Sequence, residues 1–369
     1  MDKLVSIVFA VLVVGVSSLA RGQSQLPTAD GSPHVLESGP SDNIINPVLS
    51  VESVFSTNTR VSWIDLTYGH DVKSMALPSM VKQTICATTE CHQLAADGPG
   101  LIWTDRKTLP HRIRATLFIP TPATSTIWEG WEPDELAYNF VADKAVFTDH
   151  PTCFSLPCLH REVGLYEFSA GTDSWMTSSG ALSVNSPFVT SYLGDTYYAY
   201  VGYDGNILYY KKDGQVWWDE YYPELSYGVI GNPVMSGQII CWDEEDSTTP
   251  ASDVFCRDFH QNTVSESQRH SECLVYARPR LSGLGRYVVF AGYNCTIGGS
   301  AYDSALWIND RQEGKYYLVD TNLITGSPVE SHYEYRGALY DVRGNEIVYV
   351  KRSGAVTALL IYRFDESQL

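Results

Sequence analysis

Four consecutive carboxylates, Asp243 to Asp246, follow an apolar run that ends in Trp242. Carboxylate oxygens are the ligands that Ca²⁺ prefers, so these residues could hold a structural cation such as calcium or bind a ligand. Aspartate in a turn also accepts backbone hydrogen bonds, which is the simpler structural explanation. We therefore take Asp243, Glu244, Glu245 and Asp246 as candidate binding residues. We predict no cofactor and leave the metal unassigned.

A second candidate group is aromatic. Trp217, Trp218, Tyr221 and Tyr222 lie close together in the segment QVWWDEYYPELSY. Flat aromatic rings could form a platform on which sugar rings stack, although packing between neighbouring sheets explains the same residues more simply. The four residues are candidates for ligand binding, and the structural alternative stays open.

No catalytic motif is recognisable in the sequence. It contains no GxSxG elbow, no phosphate-binding loop and no dinucleotide fingerprint. His150 and His160 flank a short cysteine loop and could ligate a metal or act as an acid and a base, but no third ligand follows at a recognisable spacing. Paired carboxylates could still come from distant segments. We assign no catalytic residue, and an enzyme is the less favoured interpretation.

The chain contains eight cysteines, an even number that favours disulfides in an exported protein. Two pairs are close in sequence, a third would face across a hairpin, and the fourth follows by elimination. Eight cysteines permit many connectivities, and zinc binding is disfavoured because no CxxC pair occurs. The suggested pairs are Cys86 with Cys91, Cys153 with Cys158, Cys241 with Cys256, and Cys273 with Cys295.

The N-terminus resembles an export signal. A short apolar run from Leu4 to Val16 precedes small residues and Gly22, so we predict a signal peptide over residues 1–22 and a secreted or periplasmic, cell-envelope protein. Residues 23–43 are rich in Ser, Pro and Gly, which predicts a flexible segment. Residues 44–369 are then one domain, with no membrane span after signal cleavage.

The net charge of −18 argues against nucleic acid and anionic membranes as partners. A protein or carbohydrate ligand is compatible with this charge. The oligomeric state does not follow from the sequence.

Apolar runs ending in an aromatic residue recur about 40 to 60 residues apart, the spacing of four-stranded β-propeller blades. Several close with aspartate, as at Asp65, Asp105 and Asp243, so a ring of carboxylates could lie on one face of a disc. The marker aromatics are Trp63, Trp103, Phe147, Tyr200, Trp242, Phe290 and Tyr349.

The repeats predict an all-β protein, most simply a propeller of seven four-stranded blades, although the uneven steps also allow six or eight. The last unit ends after its third visible strand. We expect the segment from Ile44 to Phe55 to supply the missing outer strand and so to close the ring by pairing the two chain ends. The short segment from Trp131 to Phe140 is the single amphipathic helix candidate, and a loop turn is the alternative for it.

The segment GNPVMSGQIICWDEEDSTTPASDVFCRDF resembles the TolB-like, or WD40-like, β-propeller repeat. Pro233, the Ser236-Gly237 turn, Trp242 and the strand beginning at Asp253 occupy the characteristic places of that repeat. The segment RPRLSGLGRYVVFAGYN resembles it as well, and the other units match in outline. The resemblance implies a scaffold and no particular active site.

These observations predict an exported β-propeller that serves as a protein- or glycan-binding interaction scaffold. The alternative is an extracellular carbohydrate-active enzyme, a polysaccharide lyase or a glycosidase, built on the same ring. An enzyme needs convergent ionisable groups in one concave pocket, whereas a scaffold can present aromatic and polar surface alone.

Overall fold

The structure is a computed structural model that describes residues 33–40, 44–51, 58–67, 69–87, 90–118, 122–150, 161–177, 184–202, 207–216, 218–223, 228–246, 252–259, 266–268, 271–323, 340–353 and 355–365. These residues form 28 β-strands and one 3₁₀ turn at Gly283–Gly285. No α-helix occurs among them.

Antiparallel groups of four strands follow one another along the chain, and we call them units 1 to 7. The first strand, β1 (His34–Pro40), belongs to unit 7. Unit 1 contains β2 (Ile44–Val51), β3 (Thr59–Asp65), β4 (Asp71–Ala76) and β5 (Val81–Cys86), and unit 2 contains β6 (Cys91–Asp97), β7 (Gly100–Asp105), β8 (His111–Leu117) and β9 (Ala123–Gly130). Unit 3 contains β10 (Asp134–Asn139), β11 (Lys144–Asp149), β12 (Glu162–Glu167) and β13 (Thr172–Trp175), and unit 4 contains β14 (Asn185–Tyr192), β15 (Asp195–Gly202), β16 (Ile207–Lys212) and β17 (Asp219–Tyr221).

Units 5 and 6 form one continuous sheet, because a parallel bridge joins Ser252 to Val275. Unit 5 contains β18 (Gly228–Ser236), β19 (Ile239–Asp246), β20 (Ser252–Asp258) and β21 (Glu266–Ser267), and unit 6 contains β22 (Cys273–Ser282), β23 (Tyr287–Ile297), β24 (Ser300–Asp310) and β25 (Lys315–Thr321). Unit 7 contains β26 (Tyr340–Arg343), β27 (Glu346–Ser353) and β28 (Val356–Arg363), with β1 paired to β28 at its outer edge.

The second strand of each unit forms the middle of the core. Its residues are buried on both faces, since the sheet packs against a neighbouring unit on either side. The repeat aromatics Trp63, Trp103, Phe147, Trp242 and Phe290 are each at most 1% exposed. The prediction of an all-β protein built from four-stranded sheets is therefore confirmed.

Hydrophobic clusters join consecutive units. Trp103 of unit 2 packs with Val72 of unit 1, and Trp242 of unit 5 packs with Leu208 of unit 4. The largest cluster contains side chains of units 6, 7 and 1, among them Val289, Tyr349 and Val61. Packing contacts therefore join consecutive units, and those of unit 7 also include side chains of unit 1.

Three sequence predictions about local structure are wrong. The strand paired with the C-terminal β28 is β1, not the segment from Ile44 to Phe55, whose described part is the first strand of unit 1. Residues 34–40 thus have a fixed strand partner, although composition predicts a flexible segment. The helix candidate from Trp131 to Phe140 contains strand β10. Apolar side chains of this segment pack in the hydrophobic cluster that units 2 and 3 share.

The acidic segment that begins at Asp243 is also not a turn. Its four residues complete strand β19 and pair with β18 on one side and, for Asp243 to Glu245, with β20 on the other. Residues 1–32 lie outside the described part of the chain, so the signal peptide stays a prediction.

Candidate functional site

First strands from all seven units line a single cavity of about 290 Å³, which we call the axial cavity. One lining residue from each strand, in chain order, is Val48, Gln93, Tyr138, Thr190, Asn232, Arg280 and Asp341. A concave space with a few polar groups of fixed orientation is the usual form of a ligand site.

A β-bulge interrupts the first strand of units 1 to 6 at the same position. At each bulge the pairing register shifts and one residue adopts the left-handed conformation, with φ between 41° and 58°. Bulges bend a strand and redirect its side chains. The bulge residues are Asn46, Gln93, Glu135, Ser186, Asn232 and Arg278.

Carboxylates near these bulges connect one unit to the next. Glu135 of unit 3 accepts a hydrogen bond from the backbone N–H of Ser186 in unit 4, at 2.7 Å. Asp243 of unit 5 accepts one from the backbone N–H of Arg278 in unit 6, at 2.8 Å, and another from the side-chain amide of Asn232, at 3.0 Å. These carboxylates hold the bulges of adjacent units in register.

Asp341 makes the corresponding connection between units 7 and 1. It accepts a hydrogen bond from the backbone N–H of Leu49 at 2.8 Å. Burial raises the pKa of Asp341, while the nearby positive charge of Arg280 acts in the opposite direction. Burial likewise raises the pKa of Asp243, and the hydrogen bond from Arg278 opposes that shift.

Arg280 distinguishes one side of the axial cavity. Among the described residues that line the cavity, Arg280 is the basic one, and Asp97, Glu135 and Asp341 are the acidic ones. One guanidinium nitrogen donates to the carbonyl of Pro279 at 2.9 Å, so the side chain has a defined position. A guanidinium with five N–H groups can donate further hydrogen bonds to a carboxylate, hydroxyl or carbonyl of a ligand.

The acidic candidates of the sequence lie on β19 and point in different directions. Asp243 is buried, and Glu244 is fully buried and accepts a hydrogen bond from the indole N–H of Trp242 at 2.8 Å. Glu245 is exposed at the strand end. The side chain of Asp246 lies outside the described part of the structure, so a site formed by all four stays a prediction.

The aromatic candidates do not share one surface in the described part of the chain. Trp218 packs edge-on against Tyr200 with ring centres 4.6 Å apart, and Tyr221 packs on Trp242 of the next unit at 4.7 Å. Tyr222 is 60% exposed, and its hydroxyl donates to Glu220. Trp217 lies outside the described residues, so an aromatic platform also stays a prediction.

Among the described residues, three disulfides are present, Cys86–Cys91, Cys241–Cys256 and Cys273–Cys295. The second joins β19 to β20 and the third joins β22 to β23, so each fastens two adjacent strands. The suggested pair of Cys153 and Cys158 lies outside the described residues. His160 lies there too, while His150 is buried with its ring 3.5 Å from the Glu132 carboxylate.

A pair of histidines lies at the junction of units 1 and 2. Nδ1 of His70 is 3.2 Å from Nε2 of His92. Burial, followed by the nearby positive charges of Arg106, His70 and His111, lowers the pKa of His92 to about 4, so its imidazole is neutral at physiological pH. Within the described residues, no group of three or more His, Cys, Asp or Glu side chains is arranged to hold a metal ion.

Arg280, Glu135 and Asp341 line the axial cavity, and none of the sequence motifs described above predicts them. One signal was available, because proline directly follows the bulge residue in four first strands. The dipeptides are Asn46-Pro47, Ser186-Pro187, Asn232-Pro233 and Arg278-Pro279. Aligning those dipeptides would have located the strands that face the axis.

Comparison with known proteins identifies the fold. An oligogalacturonate lyase, solved in complex with manganese, superposes with a TM-score of 0.62 over 91% of this chain and 97% of its own, at 8% sequence identity. The β-propeller domain of the Trilobed protease from Pyrococcus furiosus superposes with a TM-score of 0.58 over 87% of this chain and 95% of its own, at 9% identity. The chain is thus a β-propeller.

TolB from Acinetobacter baumannii is also similar, with a TM-score of 0.45 and 11% identity over 89% of this chain and 65% of its own. The predicted resemblance to β-propeller proteins is confirmed at the level of the fold by the lyase and the Trilobed protease domain. No family model and no curated protein matches the sequence. In the described residues, no helix has the length and apolar character needed to cross a membrane.

Proposed function

We propose that this chain is an exported β-propeller that binds a protein or glycan ligand in its axial cavity. The observation that supports this function best is the contribution of every unit to one cavity of about 290 Å³. Arg280 supplies fixed hydrogen-bond donors there, and Asn232 and Gln93 add amide groups. Ligand recognition by a few oriented polar groups in a concave site fits this lining.

The proposal includes a ring of seven blades. Support comes from the pairing of β1 with β28, from the hydrophobic cluster shared by units 6, 7 and 1, and from the hydrogen bond between Leu49 and Asp341. Closure removes the exposed strand edges that would otherwise invite aggregation, and it gives the axial cavity a complete wall.

An oxidising compartment outside the cytoplasm is part of the same proposal. Disulfides persist in secreted and periplasmic proteins and are rare in the cytosol. The three disulfides and the predicted signal peptide therefore agree with each other. A bound structural cation such as calcium remains compatible with this compartment.

A polysaccharide lyase or glycosidase on the same ring is the alternative. Such an enzyme needs ionisable groups that are able to transfer a proton to or from the substrate. Two carboxylates of the axial cavity, Glu135 and Asp341, already accept hydrogen bonds from backbone N–H groups of the next unit. This arrangement favours a scaffold over an enzyme.

The test is a screen of the chain beginning at Gln23 against a glycan array and a protein-partner library, followed by affinity measurements on variants. We expect Arg280→Gln to weaken binding of the selected ligand about tenfold or more, because a hydrogen bond to a charged group contributes about 1.5 to 3 kcal/mol. Arg112→Gln is the matched control, since Arg112 lies on β8 and pairs with Glu129 outside the cavity.

Each outcome has a defined meaning. Equal affinities of the wild type and Arg280→Gln, with Arg112→Gln also unchanged, would exclude the axial cavity as the binding site. Turnover of a polysaccharide without a stable complex would favour the enzyme over the binding scaffold as the function of the protein. Product analysis by mass spectrometry distinguishes a lyase, which leaves an unsaturated sugar, from a glycosidase.

A further inference from the structure

A second pocket, of about 370 Å³, lies where the hairpins of units 4, 5 and 6 meet, and we call it the rim pocket. Its walls come from Tyr192 at the end of β14, from Gln238 and Ile239 at the β18–β19 hairpin, and from the 3₁₀ turn Gly283–Gly285. Arg286, Arg311 and Gln312 complete it. None of these residues lines the axial cavity.

The rim pocket has an unusual charge for this chain. The protein carries 43 acidic and 25 basic residues, yet the described residues that line the pocket include two arginines and no acid. Asp310 pairs with Arg286 from behind the pocket wall, so the two arginines and this aspartate together keep a net charge of one positive unit. This local sign is opposite to that of the whole molecule and favours an anionic group at the pocket. Arginine is well suited to this role because its planar guanidinium matches the geometry of a carboxylate.

Both guanidinium groups are held in place before any ligand arrives. Nε of Arg286 lies 3.1 Å from each carboxylate oxygen of the buried Asp310, and one terminal guanidinium nitrogen donates to the same carboxylate at 2.5 Å. The remaining N–H groups of Arg286 are the ones that a ligand can use. A guanidinium nitrogen of Arg311 donates to the carbonyl of Gly285 at 3.1 Å, and its backbone N–H donates to the carbonyl of Arg286 at 3.0 Å. Fixed donors lose little entropy on binding, which favours recognition.

The backbone around the pocket is equally constrained. A Cβ atom on Gly285 would lie 2.5 Å from a side-chain carbon of Ile239, and one on Gly237 would lie 2.7 Å from the carbonyl oxygen of Leu284. The hairpins of units 5 and 6 therefore touch through these two glycines. This contact fixes the distance between the two hairpins that form opposite walls of the pocket.

Two exposed leucines flank the pocket. Leu284 is 70% exposed with φ of 56°, and Leu193, next to Tyr192, is 85% exposed with φ of 52°. A bulky side chain is strained in the left-handed conformation, which glycine or asparagine adopts more readily. Leucine is therefore a costly residue at both positions, and its exposed side chain is placed where it can contact a partner.

We propose that the rim pocket binds an acidic peptide segment of a partner protein, with a carboxylate at Arg286 and Arg311 and flanking apolar side chains on Leu193 and Leu284. A peptide supplies both parts of this pattern in one short stretch. A sugar ligand would favour aromatic side chains in place of the two leucines. Binding at the rim pocket does not require a ligand in the axial cavity.

The experiment begins with a displayed library of random peptides, selected on the folded full chain. We expect enrichment of peptides that carry Asp or Glu beside apolar residues. Fluorescence anisotropy with the most enriched peptide then gives the affinity of each variant. Gln312→Glu should weaken binding about tenfold, since it adds a negative charge at an exposed lining position and leaves the backbone hydrogen bond to Asp310 in place.

Two further variants separate recognition from folding. Thr126→Glu adds the same charge on the exposed outer strand β9 and should bind as the wild type does. Leu284→Gly should weaken binding severalfold while its unfolding midpoint stays equal or rises, because glycine relieves the left-handed conformation. A purely structural role for Leu284 would give the opposite result, namely a lower midpoint with unchanged affinity.

Several outcomes would overturn the proposal. Selected peptides without acidic residues, no enrichment on a folded protein, or equal affinities of Gln312→Glu and the wild type would each do so. Sedimentation with vesicles of anionic phosphatidylglycerol tests the other class of partner. Binding to vesicles that Gln312→Glu abolishes, in the absence of peptide enrichment, would assign the pocket to a lipid surface. Arg280→Gln should leave peptide binding unchanged, which keeps this test separate from that of the axial cavity.

Discussion

Single acidic residues in this protein fasten one unit to the next. Asp243 shows this most clearly, because it follows Trp242 in the repeat and could equally be a metal ligand by sequence. In the structure it is buried, and it accepts hydrogen bonds from Arg278 and Asn232. The hydrogen bond from a backbone N–H of the neighbouring unit sets the distance between the bulges of units 5 and 6, and those bulges form part of the wall of the axial cavity.

The burial of Asp243 predicts how stability depends on pH. Burial raises its pKa in the folded state above the ordinary value of about 3.9, so the folded protein holds this proton more tightly than the unfolded chain does. The stability contributed by that proton is complete below about pH 3.9 and is lost as the pH rises through the raised value. The asparagine in Asp243→Asn does not titrate, so the unfolding free energy of this variant should not show the decrease with rising pH.

We therefore expect the unfolding free energy of the wild type, relative to Asp243→Asn, to fall as the pH rises above about 3.9 and through the raised pKa of Asp243. The slope should be about 1.4 kcal/mol for each pH unit between the two pKa values. Urea unfolding at pH 4, 5.5 and 7 measures it. Asp173→Asn, which changes an exposed aspartate of β13, serves as control. A difference between wild type and Asp243→Asn that stays constant with pH would show that Asp243 keeps its ordinary pKa on folding.

Strands differ in how well the sequence predicts them. Second strands such as β3 and β7 are short, apolar and closed by an aromatic residue and an aspartate, so their pattern is visible in the chain. First strands such as β10 are interrupted by a bulge, which breaks the alternation of side chains that marks a strand. The residues that line the axial cavity lie on those strands. The core could thus be predicted from its apolar pattern, whereas the strands of the site are marked in the sequence by the proline that follows the bulge residue in four of them.

Close packing between units predicts a severe effect for one small substitution. A Cβ atom on Gly100 of β7 would lie 2.4 Å from the ring of Tyr138 in unit 3. Gly100→Ala should push units 2 and 3 apart and lower the unfolding free energy by about 1 to 3 kcal/mol, as overpacking of a core does. Denaturant unfolding measures the change.

Gly39→Ala is the matched control for this substitution. Gly39 lies on β1, and no heavy atom lies within 4 Å of a Cβ atom built there, so alanine should be neutral or slightly stabilising. Equal stabilities of Gly100→Ala and Gly39→Ala would mean that Tyr138 moves aside freely and that units 2 and 3 are not closely packed.

The N-terminal segment of residues 34–40 forms a strand that its composition does not predict, and this strand pairs with the last strand of the chain. Residues 34–40, HVLESGP, contain Ser, Gly and Pro and resemble a linker, yet they form β1. Local propensity is overridden because β28 otherwise presents an unpaired edge, and any strand of sufficient reach gains backbone hydrogen bonds there. Which segment occupies that edge depends on how the units assemble around it. No pattern within the segment itself predicts it.

A truncation tests closure of the ring at this scale. Removing residues 1–40 eliminates β1 together with its pairing from His34 to Pro40, while a chain that begins at Ser32 retains it. We expect the shorter chain to unfold at a temperature lower by about 5 °C or more, because its loss of several kcal/mol acts on the whole domain. Amide hydrogen exchange should also accelerate in units 3 and 4, far from the deletion, since a closed ring unfolds as one cooperative structure. Faster exchange confined to β28 and its neighbours in unit 7 would instead indicate that the units are stabilised separately and that β1 only covers a local edge.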